Sequence, residues 1–231
     1  MRMMLCAAAL SAAGLLAAGS ASATIFNYDN DGGTFGNGGS FSNISSSYND
    51  ASERLTWVVD DATRGGASMD GAWLVLSDGP NPKRADVNEL AIFYMDFVND
   101  RMAVYAYNGL NDSDSWRNPA VFLGDYSGGI INTGTSKGFS INAGPINSFP
   151  VPNDGDGWEG ARFGANIGIW FHPVFGLNAG YNGDGSLNEW SFSAQTWLDI
   201  NGGHTTVDEP SMLVLMGAGF LMLGFARRRR S

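Results

Sequence analysis

The chain has 231 residues, 23 acidic and 13 basic, with a formal net charge of −10 and a single cysteine, Cys6. Five arginines sit at the two ends, so the stretch between them holds 8 basic against 23 acidic residues, a charge of −15. A surface that acidic repels nucleic acid and anionic lipid, and one cysteine rules out any disulfide within the chain.

The first 23 residues have the layout of a secretory signal peptide. Arg2 supplies the positive start, Leu5 to Leu16 an apolar core, and Ala21-Ser22-Ala23 a small-residue cleavage site. Thr24 is the expected first mature residue. Cys6 leaves with the leader, so the mature protein relies on packing or bound cations instead of disulfides.

Between residues 24 and 206 the sequence reads as one body, long enough for a real core. Glycine is frequent, at 32 residues, only 16% of residues are charged, and Asn, Asp and Ser crowd the same stretches. That composition predicts short strands joined by tight turns. Ile25–Tyr28 opens as a strand before the Asp29-Asn30-Asp31-Gly32-Gly33 turn cluster. Arg54–Val59 is β-branched and aromatic. Ala72–Leu76 is a short apolar run suited to a buried strand, stopped by Ser77-Asp78-Gly79-Pro80.

Leu90–Val98 and Arg101–Tyr107 flank Asn99-Asp100 as a predicted two-residue hairpin. In its second strand Met102, Val104 and Ala106 should face one way, and Ala103, Tyr105 and Tyr107 the other. Val121–Gly124, Gly138–Ile141 and Ile146–Phe149 are weaker strands, and Ala161–Phe171 and Leu187–Trp197 stronger ones. About ten strands without a fixed repeat predict an all-β fold, an antiparallel jelly-roll-like β-sandwich.

Candidate chemistry is sparse. His172 and His204 are the only histidines, 32 residues apart; His172 reads as a strand-end residue, not a zinc ligand. If a cation is held, calcium suits the oxygen-rich loops, with Asp154, Asp156, Asp184 and Glu189 as ligands. Asx-Gly turns explain the same residues without metal, and no EF-hand spacing is present. Glu53, Glu89, Glu159 and Glu189 are the glutamates a glycan hydrolase would draw on, but nothing in the sequence pairs them. No nucleophile elbow, phosphate loop or dinucleotide fingerprint occurs. Among seven tryptophans and seven tyrosines, Trp116, Trp158 and Tyr181 adjoin polar loops and are the candidates for stacking on sugar rings. Trp57, Trp73, Trp170 and Trp197 lie in strand patterns and are expected in the core.

The last 25 residues form a distinct tail. Val207-Asp208-Glu209-Pro210-Ser211 precedes an uncharged run, Met212 to Ala226, and then Arg227-Arg228-Arg229-Arg230. Within an expected membrane helix at 211–226, the 15 residues of this run span roughly 22 Å at 1.5 Å per residue. That is a turn or two less than the ~30 Å hydrocarbon layer, a mismatch that bilayer thinning absorbs. Four following arginines belong on the cytoplasmic side, leaving the body outside.

This tail resembles the PEP-CTERM sorting signal of Gram-negative bacteria, over residues 207–230. Glu209-Pro210 matches the second and third positions of the Pro-Glu-Pro triplet, and Asp208 stands where the first proline is expected. The resemblance implies processing by an exosortase near Asp208, Glu209 and Pro210, with Arg227 to Arg230 as the retention signal. It also implies handling at the inner membrane, then release to or anchoring at the cell surface, often alongside exopolysaccharide. The expectation is therefore an exported, non-enzymatic cell-surface or matrix protein. A carbohydrate-binding module for exopolysaccharide and a glycan hydrolase are the alternatives.

Overall fold

The computed structural model describes residues 23–82, 89–107, 114–117, 120–152 and 157–208. In chain order, β1 (Ile25–Asn30) leads into the short hairpin β2 (Gly33–Phe35) and β3 (Gly39–Phe41). Then come β4 (Asn43–Asn49), β5 (Arg54–Asp60), β6 (Thr63–Arg64), β7 (Ala67–Ser68) and β8 (Gly71–Ser77). The middle of the chain forms β9 (Ala91–Asp96), β10 (Arg101–Ala106), β11 (Phe122–Asp125), β12 (Ile130–Asn132) and β13 (Ser136–Asn142). A single turn of helix, α1 (Gly144–Asn147), precedes β14 (Asn166–Phe175). The last strands are β15 (Asn178–Tyr181), β16 (Leu187–Ser191), β17 (Ala194–Gln195), β18 (Leu198–His204) and β19 (Thr206–Asp208).

The fold is all-β, and every ladder between named strands is antiparallel. Sheet I has the order β12-β13-β5-β4-β1-β19. Sheet II runs β11-β10-β9-β8-β14, and β17 and β18 both pair with β14. A third, four-stranded sheet has the order β2-β3-β6-β7, and β15 pairs with β16 as a separate hairpin.

Sheets I and II share one core. Phe139 of sheet I stacks on Phe93 of sheet II with centroids 4.8 Å apart, and Trp57 of sheet I meets Phe171 of sheet II at 5.2 Å. Ile44, Leu55, Trp57 and Val59 supply the sheet I side; Leu74, Phe93, Val104 and Ile169 supply the sheet II side. Removing each of these from water contributes about 1.5–3 kcal/mol toward offsetting chain entropy. Gly138 sets how closely β13 approaches β5. A side chain there would begin 1.9 Å from the carbonyl oxygen of Trp57.

Sheet II is covered on its other face as well. Trp73, Tyr94, Tyr105 and Trp170 form a second cluster beneath Leu187 and Trp190 of the β15–β16 hairpin. Double coverage explains why β8 and β9 are buried at every position and read as continuous apolar runs instead of alternating ones. The β10 faces divide as its alternation requires: Met102, Val104 and Ala106 enter the inter-sheet core, and Ala103, Tyr105 and Tyr107 the second cluster.

Sheet I shows its other face to solvent. Along β4, Ile44, Ser46 and Tyr48 point inward while Asn43, Ser45, Ser47 and Asn49 point out. The buried Ser46 hydroxyl donates to the Thr56 carbonyl at 2.9 Å, which makes a serine tolerable in the core face.

Several sequence expectations need correction. The β9–β10 connection is four residues long, since Asp96 faces Arg101. The Asp96 carboxylate accepts the N–H groups of Val98 and Asn99 and the Asn99 amide, so the turn is built on that side chain. Residues 144–147 form α1 where Ile146–Phe149 was expected as a strand, with Pro145 in the first turn of the helix. The late strand starts at Asn166 and not at Ala161. The last described strand, β19, runs across the expected boundary at residue 206 to Asp208.

Candidate functional site

The first and last described strands of the chain pair with each other at one edge of sheet I. Ala21, Glu209, Pro210 and Arg227 to Arg230, with the expected membrane helix 211–226, lie outside the described residues; Ala23 is exposed. Among the described residues no helix is long and apolar enough to cross a membrane. β19 pairs with β1, which places Asp208 opposite Ile25. Thr24 is fastened beside them. Its N–H donates to Asp50 Oδ1 at 2.8 Å, and the Asp50 N–H donates back to the Thr24 carbonyl at 3.1 Å. The chain thus enters and leaves the body on neighbouring strands.

The three aromatic side chains singled out for sugar stacking are each half-buried. Trp158 packs against the inter-sheet core and donates its indole N–H to the Ile146 carbonyl at 2.8 Å. Trp116 and Tyr181 pack on the second cluster. The Arg117 guanidinium lies 5.1 Å from the Trp116 ring, and that of Arg101 4.5 Å from the Tyr181 ring. Tyr181 also donates to Asp96 Oδ2 at 3.1 Å. Burial, and then the Asp96 charge, push its phenol well above the ordinary tyrosine value.

Of the expected calcium ligands, Asp184 and Glu189 lie on or beside the β15–β16 hairpin. Asp154 and Asp156 lie outside the described residues. Asp184 Oδ1 accepts the Ser186 N–H at 3.0 Å and its hydroxyl at 2.6 Å, which closes the β15–β16 turn and holds the carboxyl below its usual range. Glu189 Oε1 accepts the Asn178 amide across the hairpin at 2.6 Å. Among the described residues no three His, Asp or Glu side chains converge as a metal site.

Two depressions open on sheet I and its margin. One, of about 220 Å³, lies on the outer face over Asn27, Asp29, Ser45, Ser47 and Thr56. The other, of about 410 Å³, lies between Arg54, Asp125, Gly129 and Asn142. Each presents one carboxylate, Asp29 or Asp125, where glycoside hydrolysis needs two facing each other. Asp125 is partly buried, which works against its charge. The Ser127 hydroxyl and N–H, followed by Arg101 at 2.8 Å, more than offset this and hold it below its usual value.

The structure's own aromatic candidate is Trp197, which was expected in the core. It is 44% exposed, and no other Trp, Tyr or Phe among the described residues is exposed. Trp57, Trp73 and Trp170 are buried as expected. Trp197 forms an antiparallel bridge with Gly36, whose N–H donates to the Trp197 carbonyl at 2.8 Å. The indole lies on Gly36: a β-carbon there would fall 2.1 Å from Nε1 and 2.2 Å from Cε2. Beside it, Asn37 at positive φ turns the chain. The Asn37 amide donates to the Gln195 carbonyl at 3.0 Å, and Arg64 Nε donates to the Asn37 carbonyl at 3.1 Å.

No family model, curated protein or solved structure matches this chain.

The sheet under Trp197 has two unlike faces. Phe35, Phe41, Ala62 and Met69 point into the core. On the opposite side the register aligns Thr34 with Ser40, Ser40 with Thr63, and Thr63 with Ser68. Four hydroxyl side chains thus cross four strands in one row, spaced at about 4.8 Å. Ser40 and Thr63 are within 3.3 Å of each other. His172, expected at a strand end, sits inside β14, buried and stacked on Trp73 at 4.4 Å. It is a packing residue of the second cluster's rim.

Proposed function

We propose that the protein is an exported, non-enzymatic cell-surface or matrix component of a Gram-negative bacterium. Its leader is removed after Ala23, and its tail is held in the inner membrane and processed by an exosortase. The body is read as a β-sandwich, jelly-roll-like in its two sheets, displayed outside the membrane where exopolysaccharide is at hand.

The observation that supports this reading best is the pairing of Ile25 with Asp208. Only Thr24 separates the expected cleavage site from β1, and no residue separates β19 from Glu209. During export both flanking segments engage the same bilayer. A body without linkers meets that demand when its two ends emerge on the same side, as those of neighbouring strands about 4.8 Å apart do. The sorting charges carry the test. Deleting Arg227 to Arg230 should move the protein out of the membrane fraction or block its maturation. Unchanged fractionation and an unchanged mature mass would refute the sorting role.

A further inference from the structure

We propose that the outer face of the β2-β3-β6-β7 sheet, with the Trp197 indole at its end, binds a neutral polysaccharide chain. This rests on the surface-display reading only in that it requires glycan to be nearby.

Gly36 gives the first reason. It does not belong to the glycines with positive φ, so backbone conformation does not demand glycine there. What excludes a side chain is the indole, which fills the place a β-carbon would take. The ring is thus braced against the backbone of Gly36, while the residue stays 44% exposed. A rigid, half-covered aromatic is the shape that stacks on the C–H face of a sugar ring at little entropic cost.

The row beside it supplies the second reason. Thr34 lies two residues before Gly36, so strand alternation puts the Thr34 side chain and the space filled by the indole on the same side. The Thr34–Ser40–Thr63–Ser68 row starts there and runs across four strands. Hydroxyls both donate and accept, which matches the hydroxyls of a sugar.

Size and charge select the ligand class. A protein partner needs about 800 Å² per side with an apolar centre. Here the other exposed large apolar residues among those described are Val98 and Val207. Val98 lies in the β9–β10 turn and Val207 in the edge strand β19, so neither belongs to the β2-β3-β6-β7 sheet. One aromatic with a polar strip suits a sugar chain instead. A body charge of −15 opposes a polyanionic chain and leaves a neutral one.

The test uses the full chain in mild detergent on an array of neutral and uronic-acid polysaccharides. Retention by a neutral glycan is expected. Trp197→Ala should weaken it about tenfold, and Trp197→Phe should retain part of it. Thr63→Val with Ser40→Ala should weaken it through the row alone. Bound glycan should also shield tryptophan fluorescence from acrylamide in the wild type and not in Trp197→Ala. Unfolding midpoints matching the wild type show that the variants are folded. Equal retention by wild type and Trp197→Ala, preference for the acidic glycans, or retention by none would overturn the proposal. Fractionation is read separately, so failure here leaves surface display standing, and failure there leaves glycan binding standing.

Discussion

Tyr181 donates its hydroxyl proton to Asp96 across 3.1 Å, joining the β15–β16 hairpin to the turn that connects β9 and β10. Asp96 is fully buried, and among the described residues its carboxylate otherwise accepts from Val98 and Asn99 in its own turn. Tyr181 is thus the residue that brings this carboxylate into contact with the covering hairpin. Tyr181→Phe should destabilise the protein by about 1–3 kcal/mol, the cost of a lost hydrogen bond to a buried charged group. Chemical denaturation would measure it.

The same pair gives a pH dependence. In the folded protein burial and the Asp96 charge raise the Tyr181 pKa above its unfolded value of 10.0. The folded state therefore holds the phenolic proton more tightly than the unfolded chain. Its contribution is complete below pH 10 and is lost as pH rises beyond it. Burial shifts Tyr28, Tyr48, Tyr105 and Tyr126 in the same direction. Melting temperatures should fall as pH rises past 10, and less steeply in Tyr181→Phe. Equal slopes in the two proteins would contradict the assignment.

On the proposed reading, removal of the leader should change what Thr24 offers Asp50. In the unprocessed chain the contact is an amide N–H to a carboxylate at 2.8 Å. Cleavage after Ala23 turns the same nitrogen into an ammonium, and the contact into an ion pair. On this exposed surface such a pair contributes about 0.5 kcal/mol and weakens with salt. Asp50→Asn should therefore lower the stability of the mature protein at low ionic strength and matter less when Thr24 is acetylated. A thermal-melt comparison with and without 1 M salt decides it.

Gly138→Ala should cost about 3 kcal/mol or more, beyond the usual overpacking cost, because the obstacle is backbone. The new carbon would meet the Trp57 carbonyl at 1.9 Å and the Val58 Cα at 2.9 Å. Only separation of β13 from β5 relieves it. Loss of expression or a large drop in melting temperature is expected, and near-wild-type stability would show the two strands to be free to part.

The sequence was most legible where apolar periodicity met packing on both sides. The two faces of β10 could be assigned residue by residue, and the buried run of β8 stood out. The strand β4 was illegible because Ser46, an inward residue, looks like an outward one until its hydroxyl finds the Thr56 carbonyl. Trp197 misled for the opposite reason. It follows a strand pattern, yet the chain turns at β17 and the indole meets a glycine instead of a core. The hydroxyl row was invisible in sequence, since its members come from four strands between residues 34 and 68 and only register aligns them.

Neighbouring first and last strands also make this body a cassette. Closing Thr24 to Asp208 with a few glycines and reopening the chain at an exposed turn such as Gly65-Gly66, where both residues take positive φ, gives a circular permutant with its ladders intact. By the same geometry the body can be set into a surface loop of another protein while holding the host's two strand ends close together.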